Sequence, residues 1–168
     1  MKSKLFLTAA FLVIAVSSFS QNNIWEKWTP LLGEWEGTGA GRPGQGAGTF
    51  TFSYDLDGKI ITRKSHSEYP AAENKPKIVH DDLMVIYIDG ATNSPKAIYF
   101  DNEGHTITYN IVYKDNSIVL TGEKMLNAPI FRLTYTLLTK SEMNTKFEMS
   151  PDGQKYTPYI EGKCTKIK

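Results

Sequence analysis

Cysteine is nearly absent from this chain: one residue, Cys164, among 168. A lone cysteine closes no intramolecular disulfide and supplies no zinc finger, which excludes the stapled secreted scaffolds and the cysteine-ligated metal modules. An excess of either charge is also missing. Lys and Arg number 19 against 18 Asp and Glu, a formal charge of +1, so nothing in the overall balance supplies the basic surface that nucleic acid requires. No nucleic-acid partner is expected. Histidine is scarce, at three, and so is arginine, with only Arg42, Arg63 and Arg132. A length near the commonest domain size buries a core without staples, so a single domain is expected.

The one long apolar run lies at the start. Lys2 and Lys4 precede Leu5 to Val16, and Ser18-Phe19-Ser20 follows with small residues where a signal peptidase reads. The run is short for a bilayer span, and the pattern is that of a secretory leader. Residues 1–20 are therefore expected to be a signal peptide and 21–168 the mature domain, exported to the periplasm or outside the cell with no membrane span after processing. Removal leaves 17 basic residues against 18 acidic, a formal charge of −1. In that oxidising setting Cys164 is expected to be a small buried core residue.

Most of what remains has the period of strands. Only Asn22 to Leu32 suits a helix, with Ile24, Trp25, Trp28, Leu31 and Leu32 as its apolar stripe and Gly33 as its stop. Beyond Gly33, segments rich in Thr, Tyr, Phe, Ile and Val alternate apolar with polar residues. They predict strands over 34–42, 47–56, 59–69, 79–88, 96–101, 105–113, 117–124, 130–139, 144–150 and 156–167. Asp57-Gly58 and Asp89-Gly90 suit turns with positive φ, and Asn102-Glu103-Gly104, Asp115-Asn116 and Pro151-Asp152-Gly153 suit other tight turns. The fold class is all-β: about ten antiparallel strands in an up-and-down barrel with a short N-terminal helix, closed so that no edge strand is left bare.

Alternation selects the interior. Phe131, Leu133, Tyr135 and Leu137 separate from Arg132, Thr134 and Thr136; Ile107, Tyr109, Ile111 and Tyr113 separate from Thr106, Thr108 and Asn110; Phe50, Phe52 and Tyr54 separate from Thr49, Thr51 and Ser53. If Asp57-Gly58 is a two-residue type I′ turn, Tyr54 pairs with Ile61 and Phe52 with Arg63, which places Ile61, Arg63 and Ser65 on the inner face; a one-residue slip would place Ile60, Thr62, Lys64 and His66 there instead. Strand 79–88 is apolar on both faces, and there the pattern is silent. An interior of this kind, with tyrosine hydroxyls and a guanidinium among aromatic rings, suits a small amphipathic ligand.

Gly33-Glu34-Trp35, a G-x-W motif opening the first strand after a short helical segment, resembles the calycins, the lipocalin and fatty-acid-binding group of barrels. The longer run Leu31 to Gly39 is similar to the nitrobindin-type heme-binding barrels and to a related family of uncharacterised secreted bacterial proteins. Tyr99 to Gly104, Phe131 to Tyr135 and Met149 to Gly153 resemble the latter. The resemblance implies that Gly33 and Trp35 are structural, the tryptophan plugging one end of the barrel. It also implies a heme site served by a histidine from the C-terminal part, but no histidine follows His105. No cofactor is therefore expected; heme would have to use His66, His105 or a tyrosine.

Other constellations carry less. Gly39-Ala40-Gly41-Arg42-Pro43-Gly44 satisfies G-x-G-x-x-G as a string, yet Pro43 and the following glycines prevent the helix a dinucleotide site needs. In His80-Asp81-Asp82 only His80 and Asp82 share a strand face, so no metal site is assigned. Glu34 and Glu36 share a face but alternate with Trp35, and no nucleophile-elbow or zincin string is present, so no catalytic residue is assigned. The ligand-binding set is Arg63 as an anion fork, Tyr99, Tyr109 and Tyr135 as an aromatic wall, His105 as a rim hydrogen-bonder, and Arg132. An enzyme using the same cavity for an isomerisation or heme-dependent reaction, and an interaction module with a packed barrel, are the alternative readings. Oligomeric state has no signature in the sequence.

Overall fold

The computed structural model describes residues 24–38, 47–71 and 76–168. The expected leader, the glycine-rich stretch 39–46 and residues 72–75 lie outside them. Ten strands form: β1 (Gly33–Thr38), β2 (Ala47–Asp55), β3 (Ile60–Tyr69), β4 (Ile78–Asp89), β5 (Ser94–Asp101), β6 (Thr106–Lys114), β7 (Ser117–Gly122), β8 (Ile130–Leu137), β9 (Glu142–Ser150) and β10 (Thr157–Lys166). Each pairs antiparallel with its neighbour in sequence, and β1 pairs with β10 to close the barrel. The antiparallel ten-strand barrel expected from the alternation is the fold that forms.

The expected N-terminal helix is not. Residues 24–28 are turns and Thr29–Leu31 is one turn of 3₁₀ helix. Pro30 explains the difference, because it has no N–H for a continuing ladder and restrains Thr29 before it. The apolar residues Trp25, Trp28 and Leu31 stand three apart, the spacing that eclipses side chains in 3₁₀ geometry. All three are buried. The Trp28 and Thr29 amides both donate to the Trp25 carbonyl, at 2.8 and 2.9 Å.

An up-and-down barrel puts alternate connections at opposite ends. The segment 24–32 covers the end bearing the β2–β3 turn, where the Trp25 indole N–H donates to the Gly58 carbonyl at 2.8 Å. Trp28 donates to the Tyr113 hydroxyl at 3.0 Å and packs tilted against Phe52 and edge-on against Tyr135. Trp35 is fully buried and donates to the Leu31 carbonyl at 2.7 Å. Gly33 begins β1 at φ +113°, where a Cβ would overlap the Lys168 carbonyl oxygen, so the close approach of the two chain segments there depends on the missing side chain.

The β2–β3 hairpin fixes the side of the wall on which β3 presents each residue. Leu56, Asp57 and Gly58 all have positive φ, and the Gly58 and Lys59 amides donate to the Asp55 and Leu56 carbonyls at 3.1 and 3.0 Å, so a left-handed turn over 56–59 joins the strands in the same register as a two-residue turn at Asp57-Gly58. Tyr54 pairs with Ile61 and Phe52 with Arg63, the pairing predicted from the turn, so Arg63 points inward. Tyr54 itself, expected inside, is 43% exposed, at the rim of the covered end with its hydroxyl 3.4 Å from Thr29 Oγ1. On β4 the inner set is Met84 and Ile86, each fully buried. With Phe52, Ile61, Ala97, Tyr109, Leu120, Tyr135 and Met143 they pack the covered half of the barrel.

Candidate functional site

Above that packed half the interior becomes polar. Arg63 on β3 lies on the same face as Asp82 on β4 and donates from Nη1 to Asp82 Oδ1 at 2.8 Å. Their side chains are 13% and 5% exposed. The guanidinium lies 5.0 Å over the Phe50 ring. Burial pulls its pKa down, but Tyr135, Asp82, Tyr99 and Cys164 around it more than offset that and leave it raised. Arg63 is therefore a permanent cation. One arm of the expected fork is already filled by a carboxylate of the protein. Among the described residues nothing hydrogen-bonds to its Nε–H or to the Tyr135 hydroxyl, both of which are buried. Groups of this kind are rare because each leaves a desolvation cost uncompensated.

A second polar cluster stands toward the end opposite the tryptophans, held together by its own hydrogen bonds. His80 opens β4 with Nε2 3.0 Å from the Tyr99 hydroxyl and Nδ1 3.2 Å from Glu103 Oε1. The same hydroxyl lies 3.3 Å from Asp101 Oδ2, which receives His105 Nδ1 at 2.9 Å. Asp101 Oδ1 also accepts the backbone N–H groups of Glu103 and His105 at 3.0 and 2.8 Å, so the carboxylate organises its own turn. Asn102 ties that turn to β4 through the Val79 carbonyl and the Asp81 amide. His80 and Asp82 share a face, as alternation requires, with Nε2 and Oδ2 3.8 Å apart.

Burial shifts these groups in different directions. It pushes the Tyr99 hydroxyl far up, with the charges of Asp82 and Asp101 adding to it, and does the same to Tyr109 and Tyr135. All three are neutral hydrogen-bonding groups at any working pH. Burial alone would also raise Asp101, but the His105 and Glu103 N–H groups hold its carboxyl below the usual range. A carboxylate depressed in the folded state contributes stability above its unfolded pKa of about 3.9 and loses it as pH falls through the lower folded value. Asp101→Asn should accordingly lower the melting temperature at pH 7. The gap to wild type should shrink below about pH 3.9 and vanish at lower pH, and a gap constant with pH would refute this account.

Five of the six expected ligand residues are brought to this barrel interior or its rim. Tyr109 and Tyr135 are each 1% exposed inside, Tyr99 lines the wall, Arg63 sits between them, and His105 stands at the rim with its side chain 63% exposed. Arg132 does not join them. It lies on the outer face of β8, donates to Glu148 at 2.8 Å and stacks 3.8 Å from the centre of the Tyr156 ring. Its hydrogen bond, with that of Lys146, holds the Glu148 carboxyl down against burial. Arg132 thus pins the β9–β10 connection from outside. Asp82, Asp101, His80 and Glu103 were not in the expected binding set. Their common signal is acid or histidine at the facing ends of two adjacent strands, which becomes visible only once β4 and β5 are in register, with Asp82 opposite Asp101.

The donor set does not fit a heme iron. His66 is on the outer face, 2.6 Å from Asp81, both ring nitrogens of His80 are engaged, and Asp101 holds His105 at the rim. The inward tyrosines, with raised pKa, are poor phenolate donors. An open groove of about 390 Å³ crosses β3, β4 and β5, with Ser65, Asp82 and Asp101 in its lining beside Lys64, Leu83 and Phe100. It meets Asp82, the partner of Arg63, while Arg63 and Tyr135 themselves are not in its lining. No helix among the described residues is long and apolar enough to cross a membrane.

No family model and no curated protein matches the chain. Among solved structures it is similar to the crystal structure of Rv2717c from M. tuberculosis, with a TM-score of 0.57 and 12% identity over 86% of this chain and 97% of that one. At that identity the likeness is one of fold: a closed antiparallel β-barrel.

Proposed function

We propose that this protein is an exported binding protein that holds a small amphipathic molecule in the half of its barrel away from the tryptophans. The observation that carries the reading is the pair of buried, unpaired donors, Arg63 Nε and Tyr135 Oη. A native interior satisfies such groups or reserves them for a guest. Aromatic residues supply the apolar side: Phe131 and Phe147 stack at 5.4 Å and share strand parity with inward Tyr135 and Met143. Arg63 anchors the polar head, Tyr99, Tyr109 and Tyr135 form the wall, and His105 guards the rim. The leader-like first 20 residues support export.

The test uses the neutral apolar fluorophore N-phenyl-1-naphthylamine. The mature chain should take up one equivalent saturably, with emission sensitised by the tryptophans that floor the barrel. Absence of saturable uptake would refute the reading and favour a packed interaction module.

A further inference from the structure

Resting on that reading, we infer that the head group the barrel selects is a neutral hydrogen-bond acceptor, the carbonyl of a ketone, ester or amide, and not a carboxylate. The charge of Arg63 is already matched: Asp82 Oδ1 lies 2.8 Å from Nη1, with both side chains nearly excluded from water. Asp101 stands opposite Asp82 across β4 and β5, its side chain 4% exposed and its carboxyl held ionised by the N–H groups around it. A ligand carboxylate would be a third negative charge beside one guanidinium, in a place where a charge is tolerated only when paired. What the floor lacks is acceptors. Arg63 Nε–H and Tyr135 O–H each need one, and a carbonyl oxygen has two lone pairs and no charge to desolvate. The arginine read from sequence as an anion fork is, with Asp82 in place, half of a neutral donor site.

The discriminating probes are a matched aromatic pair, 2-acetylnaphthalene and 2-naphthoate, displacing N-phenyl-1-naphthylamine at neutral pH. The ketone should bind the wild-type protein at least tenfold more tightly. Asp82→Asn, which keeps the side chain's size and one acceptor while releasing the guanidinium's charge, should reverse the order. Equal or tighter binding of 2-naphthoate by the wild type would overturn the inference and leave the binding reading standing. An unreversed order in a folded Asp82→Asn protein would also overturn it, because the preference would then come from something other than this pair. Failure of the fluorophore itself to bind would remove both. If Asp82→Asn does not fold, the wild-type order alone decides.

Discussion

Asp82→Ala should destabilise the protein by about 3–5 kcal/mol, the range for breaking a buried ion pair from one side. The cost arises less from the lost attraction than from what is left behind: Arg63 would remain in the barrel wall at 13% exposure with no counter-charge and two unpaired donors. Converting both partners at once, as Arg63→Met with Asp82→Leu, removes the charge together with its partner and should recover most of that loss, since apolar groups of similar volume pack without desolvation cost. Urea unfolding of the two single variants and the double at neutral pH forms the cycle. A double variant as unstable as the sum of the singles would show that the pair contributes through shape and not charge. The double should also lose the ketone preference, because the donor it relies on is gone.

Trp28→Ala should cost about 3–5 kcal/mol, as expected for emptying a fully buried aromatic site. Trp28 has no exposed surface, packs against Phe52 and Tyr135 with ring centroids 5.8 and 6.4 Å away, and donates to Tyr113. Few neighbours can collapse into the gap, because Phe52 and Tyr135 are themselves held by opposite walls of the barrel. Trp28→Phe keeps the ring contact and loses the hydrogen bond, so it should cost distinctly less. Thermal unfolding of the two variants would check this, and a loss from Trp28→Ala below about 1 kcal/mol would show that the covered end is not closed by this residue.

The strands were legible because β chemistry repeats every second residue and the turns carry their own signals. Asp57-Gly58 did more than mark a turn, since its left-handed geometry pinned the β2–β3 register and thereby turned Arg63 inward. The partner of Arg63 was not legible. Strand β4 carries Leu83 and Val85 on one face and Met84 and Ile86 on the other, so no alternation chose its inner side; pairing with β3, which sets Asp82 opposite Ser65, settles it. Arg132 is the reverse case. Alternation placed it with the polar residues of its strand, and its inclusion among ligand contacts came from the chemistry of arginine alone, which is equally served by Glu148 outside. The stripe at 24–32 suits a helix in sequence because spacings of three and four look alike over two turns; Pro30 distinguishes them.

The seam between β1 and β10 closes the barrel, with Trp35 opposite Lys166 and the Ile167 amide donating to the Glu34 carbonyl. This contact joins the first and last strands to be synthesised. Until β10 has left the ribosome the sheet has two bare edges, β1 and β9, and no enclosed interior. Loop closure over such a separation is slow, and it comes after every local hairpin has formed. The contact that encloses the interior is therefore the one that joins the two strands of the barrel farthest apart in sequence, and every other seam is a local hairpin.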